Sequence, residues 1–435
     1  MNEPSKYDTE PATLQAFSAW LERKYESVQA LNRAWFRQVK NFSEATLTPD
    51  QLTGGNYGRL DYFPVIDWRE FNIDNLVDQL LWIKGQIELH DRNHPNHLNV
   101  TNPLGGPSGQ DVWKESKVVE ILGASIHPAW SFSPDAPKSK YGELFAYIDL
   151  IAGPSGTKPW WVTELQSGPT VFTGGFPLNP APEDLTRWLW DSAGAGSKAV
   201  IFWLSQPRSG GQEGGEWGLV SPDGHPSIRV PAVKAVAQAL QHNPFLADAH
   251  PQQAKAAIFY NRQTAIVNNL EGTRMQHRGN EWEQSLQGCF MALHRIHIPV
   301  EFVDLEQLKQ GSVNKFEVLY IPYSYVMDEA TMAALGSFVR EGGCLFADCL
   351  VAWKTEAGGS RPSIPGHLTE IFGVEVFDIY PVKVNEPYSV TDGNEFAGEL
   401  WKRRVPKSSC EIRKGNRLPL SIGLEKEQSS ITSRP

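Results

Sequence analysis

Residues 158–164 read KPWWVTE: a Lys-Pro start, four residues of strand-forming character, then an acid, Glu164. Trp, Val and Thr favour the pleated backbone. The run is too short for a helix and apolar on consecutive positions, the pattern of a strand buried on both faces. The same phrase recurs along the chain. Residues 97–102 read HLNVTN, residues 118–127 read VVEILGASIH, and residues 197–204 read SKAVIFWL. Each is a short apolar run that ends in a polar residue and a loop. Helical patterns lie between them at 141–151 and 183–195. Repeated strand–loop–helix units predict parallel strands with right-handed crossovers. Polar residues at the C-terminal strand ends sit where barrel proteins do their chemistry.

Upstream, Leu14, Phe17, Leu21, Tyr25, Val28 and Leu31 form one apolar stripe and predict a helix over 9–32. Gly54, Gly55 and Pro64 predict a loop. Asp67 is expected to cap the next helix, with Phe71, Leu76, Leu80, Leu81, Ile83 and Ile87 on its buried side. Downstream of a polar stretch at 242–253, a second αβ block begins. It has strands at 254–260, 300–303, 318–321 and 344–347, with helices at 283–297 and 329–341. That alternation predicts a doubly wound sheet. Periodicity fades beyond 384, and little order is expected over 385–435. The expected domains are therefore 1–243, 244–384 and a tail, 385–435.

The chain has 435 residues, 40% hydrophobic and 21% charged, which suits a packed globular protein. A formal charge of −10 disfavours a nucleic-acid partner. No apolar run is long enough for a membrane helix, so no membrane partner is expected. The four cysteines, Cys289, Cys344, Cys349 and Cys410, form no CxxC pair. They predict reduced thiols and a cytoplasmic protein. The N-terminus has no basic stretch followed by an apolar core, so no secretory signal is expected.

Glu164 is the first candidate for chemistry, since a carboxylate at a strand mouth beside two tryptophans suits a nucleophile or base. It equally suits a surface acid after a strand. Glu3, in Asn2-Glu3-Pro4, says little alone. As a pair the two acids match the requirement of glycoside hydrolysis for one acid and one carboxylate. Residues 206–219, QPRSGGQEGGEWGL, form a Gly-rich loop whose Arg, Glu and Trp side chains suit a polyhydroxylated ring. It lacks the Gly-Lys-Ser/Thr of a phosphate loop. His127 follows a strand and precedes Pro128; a core or supporting role is expected for it.

These residues carry a resemblance. Asn2-Glu3-Pro4, followed by FSAWLERKY at 17–25 and LNRAW at 31–35, resembles the acid/base segment of glycoside hydrolase family 42 β-galactosidases. WVTE at 161–164 resembles that family's strand with its nucleophile, and 202–220 resembles its last barrel loop. VEFVD at 300–304, FVREGG at 338–343 and IFGV at 371–374 resemble its trimerisation domain. The resemblance spans about residues 2–382.

It implies a (β/α)8 barrel and retaining hydrolysis of terminal β-D-galactosides or small oligosaccharides. Glu3 is implied as acid/base, Glu164 as nucleophile, and Asn2, Phe172, Glu213 and Glu216 as substrate-binding residues. Phe172 stands where many members have Trp, and Glu216 near a position that is often His. A homotrimer is implied. No cofactor and no metal are expected: the cysteine-rich zinc cluster of some members has no counterpart before Cys289. About three and a half barrel units precede the Asn-Glu pair in the family, against Met1 alone here. The expected fold class is thus α/β, with the C-terminal half of a TIM barrel followed by a doubly wound domain resembling flavodoxin and glutamine amidotransferases. The chain is expected to be truncated at both ends, with its activity impaired. The alternative is a non-catalytic remnant acting as an oligomerisation or interaction module.

Overall fold

The computed structural model describes residues 1, 9–47, 62–100, 110–131, 141–274, 281–348, 350–376, 378–381, 388–389, 395–396 and 401–404. Four strands, β1 (His97–Val100), β2 (Ile121–Ile126), β3 (Trp160–Gln166) and β4 (Ala199–Trp203), form one parallel sheet in chain order. The helices that follow them include α4 (Val112–Ser116), α5 (Tyr141–Ser155), α6 (Pro182–Gly194) and α7 (Val230–His242). When neighbours in sequence are neighbours in the sheet, right-handed crossovers put every connecting helix on the same face. The other face becomes the inside of a barrel. This is the expected C-terminal part of a (β/α)8 barrel.

Among the described residues, the α-helices before the sheet are α1 (Pro11–Tyr25), α2 (Val28–Trp35) and α3 (Tyr62–His90). The single helix expected over 9–32 is broken at Glu26, whose φ of 58° is left-handed. Ser27 then caps α2, its Oγ accepting from the Ala30 N–H at 3.3 Å. Asp67 is not a cap. It lies inside α3, 3% exposed. Its Oδ2 accepts from Tyr25 Oη and Trp35 Nε1, each at 2.7 Å, and its Oδ1 from Lys24 Nζ at 2.8 Å. Burial alone would lower the Lys24 pKa, but Glu70 and Asp67 outweigh it and hold the ammonium above the usual lysine range. Leu81 and Ile87, expected on the buried side of α3, are 50% and 39% exposed.

The second sheet comprises β5 (Ala256–Phe259), β6 (Val300–Val303), β7 (Val318–Ile321) and β8 (Cys344–Ala347). It is parallel with order β6-β5-β7-β8. Here the order reverses after β6, so helices cover both faces and a crevice opens at the C-terminal ends of β5 and β7. Helices α8 (Arg262–Arg274), α9 (Glu281–Arg295) and α10 (Glu329–Arg340) belong to this unit. Near its end, β9 (Asp378–Pro381) pairs antiparallel with β10 (Trp401–Arg404), beyond the boundary expected at 384.

The two units share their cores. One apolar cluster joins Phe17, Trp35, Ile66 and Trp68 to Ile266, Leu270, Tyr325 and Leu350. The cluster's residues from the second unit follow β5, β7 and β8 in sequence, so α1–α3 pack against segments that leave the C-terminal ends of that sheet. Arg69 Nη1 also donates to Asn269 Oδ1 at 2.8 Å. A second cluster joins Leu98, Val100 and Trp113 to Tyr260, Trp282 and Phe302. Helix α5 lies against β6 so closely that a Cβ on Gly153 would sit 2.5 Å from the Phe302 carbonyl oxygen. By contrast, residues 243–253 between the units are mostly exposed.

Glu115, on α4 at this seam, is fully buried. Burial, then the Asp111 charge, push its carboxyl up to about 8, against the opposing Asp111 N–H and Arg262. In the native state it stays protonated where the unfolded chain has already ionised. The fold therefore binds the extra proton between the ordinary Glu range and about pH 8, and stability falls as pH rises through that window. One such proton is worth about 1.4 kcal/mol per pH unit. Glu115→Gln should remove this contribution, so urea midpoints of parent and variant should diverge as pH rises from 5 to 8, in the variant's favour. Parallel curves would contradict it.

Candidate active site

The site grows from the C-terminal ends of β1–β4. Successive strand residues point to opposite faces, but β3 has register irregularities against both neighbours. As a result Thr163 and Glu164 both reach Asn99 at the end of β1. Thr163 Oγ1 donates to Asn99 Oδ1 at 2.6 Å, and Asn99 Nδ2 donates to Glu164 Oε1 at 2.9 Å. The hydroxyl thus fixes which way the amide faces. Ser125 Oγ donates to Glu164 Oε2 at 3.3 Å, and His127 Nε2 lies 3.3 Å from the same oxygen. A carboxylate oxygen only accepts, so the imidazole hydrogen is on Nε2. His127 Nδ1 is buried and has no hydrogen-bond partner among the described residues. The Glu164 and His127 side chains are each 12% exposed.

Gly123, on β2 between Asn99 and Trp161, keeps this network open. A Cβ there would lie 2.4 Å from Thr163 Cγ2 and 2.5 Å from Thr163 Oγ1. Only glycine leaves the Thr163 hydroxyl free to reach Asn99.

The loops after β3 and β4 are tied together. Ser167 Oγ lies 2.6 and 2.8 Å from the Leu204 and Trp217 carbonyls, and its one hydrogen is shared between them. Glu216 is 6% exposed, and both its oxygens are occupied. Oε1 accepts from the Phe172 N–H at 2.9 Å; Oε2 accepts from the Thr173 N–H at 3.2 Å and from the Thr173 hydroxyl. Burial alone would raise its pKa, but these bonds, the Thr173 hydroxyl foremost, outweigh it and hold Glu216 below the usual carboxylate range. Phe172 itself is 90% exposed. Glu213 pairs with Arg208 at 3.3 Å, and the Arg208 guanidinium lies 4.8 Å from the Trp203 ring centre.

Asn2 and Glu3 lie outside the described residues. Met1 is described: its amino group donates to the His97 carbonyl at 2.9 Å, and its carbonyl accepts from the Asn99 N–H at 3.0 Å. It therefore bridges the free edge of β1 as a parallel neighbour would. Sequence reasoning placed Glu164 at a strand end but missed Asn99, Ser125 and Thr163. The available signal was the polar residue closing each strand, as in HLN and GAS.

Among the described residues, no group of three or more His, Cys, Asp or Glu is arranged to hold a metal ion, and no helix is long and apolar enough to cross a membrane.

Comparison with known proteins gives a consistent picture. The glycoside hydrolase family 42 model, described as β-galactosidase, matches residues 1–243, and the β-galactosidase trimerisation domain matches residues 254–418. β-Galactosidase BglY of Alicyclobacillus acidocaldarius is 24% identical over 426 residues, covering 92% of this chain and 57% of that protein. The chain thus spans little more than half the length of that relative. In structure, a catalytic mutant of Gan42B, a GH42 β-galactosidase from G. stearothermophilus, superposes with a TM-score of 0.79 at 18% identity, covering 93% of this chain and 59% of that one. The β-galactosidase of the Antarctic haloarchaeon Halorubrum lacusprofundi superposes with a TM-score of 0.79 at 18% identity, over 94% of this chain and 61% of that one.

Proposed function

Because the chain belongs to the glycoside hydrolase family 42 β-galactosidases, whose model covers residues 1–243 of its 435, we propose that it is a retaining hydrolase of terminal β-D-galactosides. The observation that carries this reading is Glu164, a partly exposed carboxylate in the C-terminal half of β3 held by Asn99 of β1, Ser125 of β2 and His127 just after β2. A carboxylate fixed in this way is pre-aimed for attack on a carbon centre.

In this reading Glu164 attacks the anomeric carbon while Glu3 gives its proton to the departing glycosidic oxygen. Water then enters, loses a proton to Glu3, and displaces Glu164 to release galactose. Support for Glu3 comes from Met1. Glu3 follows by two residues in the sequence a backbone that bridges β1, the strand that supplies Asn99. Asn2 would donate to a sugar hydroxyl, Glu213 would accept from others, and Phe172 would offer its ring to a sugar face. The two carboxylates complete the reaction between them, so the scheme uses no cofactor. The match to the trimerisation domain supports a homotrimer, and the scattered cysteines support a cytoplasmic place of action.

Incubation with an aryl β-galactoside, followed by NMR of the first sugar released, tests the scheme. β-Galactose should form first and mutarotate later. α-Galactose appearing first would replace double displacement with inversion. No galactose from a folded oligomer would favour the non-catalytic assembly module instead.

A further inference from the structure

We infer that Glu216 is a positioning residue, the far end of a buried relay that runs through Thr173, Trp217 and His127 to Glu164. The inference rests on the reading of Glu164 as nucleophile and adds to it. The relay begins where the two Glu216 oxygens accept from the Phe172–Thr173 segment. With its proton given to Glu216, the Thr173 hydroxyl has lone pairs left, and Trp217 Nε1 donates to it at 2.8 Å. The Trp217 ring meets the His127 ring in a T-shaped contact, centres 5.0 Å apart. His127 then reaches Glu164 through Nε2.

Two features argue that this path is built rather than incidental. Trp217 is 1% exposed yet has a φ of 68°, in the left-handed region. A bulky residue there is strained and persists only when its surroundings over-determine it. Here its N–H donates to the Pro169 carbonyl at 2.9 Å, while its carbonyl accepts from Leu204 N and Ser167 Oγ. In addition, Nδ1 of the imidazole has no hydrogen-bond partner among the described residues. The ring angle about the Cβ–Cγ bond is therefore set by the Nε2 contact with Glu164 and by the T-shaped contact with Trp217. Glu216 is 6% exposed and both its oxygens already accept from the 172–173 segment, so it faces the loop rather than a sugar.

The test uses the full chain labelled with 15N-histidine. The chain has 11 histidines, and a His127→Gln spectrum identifies the His127 signals. Thr173→Val keeps the shape but removes the hydroxyl; it should move the His127 ring-nitrogen signals. Thr173→Ser keeps the hydroxyl and should leave them in place. Unmoved signals in Thr173→Val would overturn the relay whether or not the chain hydrolyses anything. On an aryl β-galactoside, Glu216→Gln should lower kcat about tenfold with KM within about twofold. A raised KM with unchanged kcat and unchanged His127 signals would make Glu216 a sugar contact and overturn the inference. If the parent chain releases no galactose, the hydrolase reading falls, and the His127 signals alone decide the relay.

Discussion

Glu164→Gln is expected to lower aryl β-galactoside hydrolysis by about 10⁴-fold or more, the scale on which losing a nucleophile is felt. The substitution changes almost nothing else. Gln has the same length, and its carbonyl can still accept from Asn99 Nδ2. What it loses is the anionic oxygen that faces Ser125 and His127. An amide nitrogen there turns acceptor into donor, so His127 must reorient or lose its partner. The fold should survive, because the side chain lies at the edge of the site rather than in an apolar cluster. Steady-state kinetics beside a urea melt separate the two effects. In Glu164→Ala, added azide can take the vacated place, attack the anomeric carbon, and give α-galactosyl azide with Glu3 as acid. Undiminished hydrolysis in Glu164→Gln would remove Glu164 from the nucleophile role.

The largest effect on stability is expected at Asp67. Asp67→Ala should cost about 3–5 kcal/mol, because it strands the Trp35 and Tyr25 donors in the helix seam, while Lys24 keeps its pairing with Glu70. Trp35 Nε1 and Tyr25 Oη both donate to Oδ2, and Lys24 to Oδ1. Trp35 is 1% exposed, so water cannot readily replace the lost acceptor. Asp67→Asn should fall between parent and Ala. Its one oxygen can serve Trp35 and Tyr25, but its amide then points donor hydrogens at the Lys24 ammonium. Urea denaturation of the three proteins checks the order. Equal midpoints for parent and Ala variant would show that α1, α2 and α3 are held by apolar packing alone.

Much of the architecture was legible because it depends on pattern. The runs HLNV, ILGAS, WWVTE and AVIFW appear as β1 to β4 within a few residues of their expected ends. Where reading and structure part, a local competition decided. Pro64 looked like loop punctuation, yet it lies in the first turn of α3, where the missing N–H costs nothing. Asp67 looked like a cap because Asp often is one; three donors far away in sequence claimed it instead. The helix over 9–32 was drawn through a Glu-Ser step that ends one helix and caps the next.

The candidate site was legible only in part. Glu164 could be read from its place after a strand. That its carboxylate is held by Asn99 could not, since the contact depends on a register irregularity and on the absence of a side chain at Gly123. Glu216 illustrates the limit most clearly. Composition presents it as one of two acids in a Gly-rich loop, and nothing in the loop reveals that its oxygens turn back onto residues 172 and 173.

The crevice of the second sheet has a consequence for how such a protein can be inherited. In a stand-alone doubly wound domain that opening is free to receive a ligand. Here α1–α3 pack against the segments that leave that end of the sheet, with Tyr325 and Leu350 in the same cluster as Trp35 and Trp68. A recombination that moved residues 254–381 alone into another gene would transplant a domain with a raw apolar wound. The unit that can be shuffled is therefore larger than the unit that can be drawn. It includes helices that lie before β1 in sequence, because they share an apolar surface with the second unit.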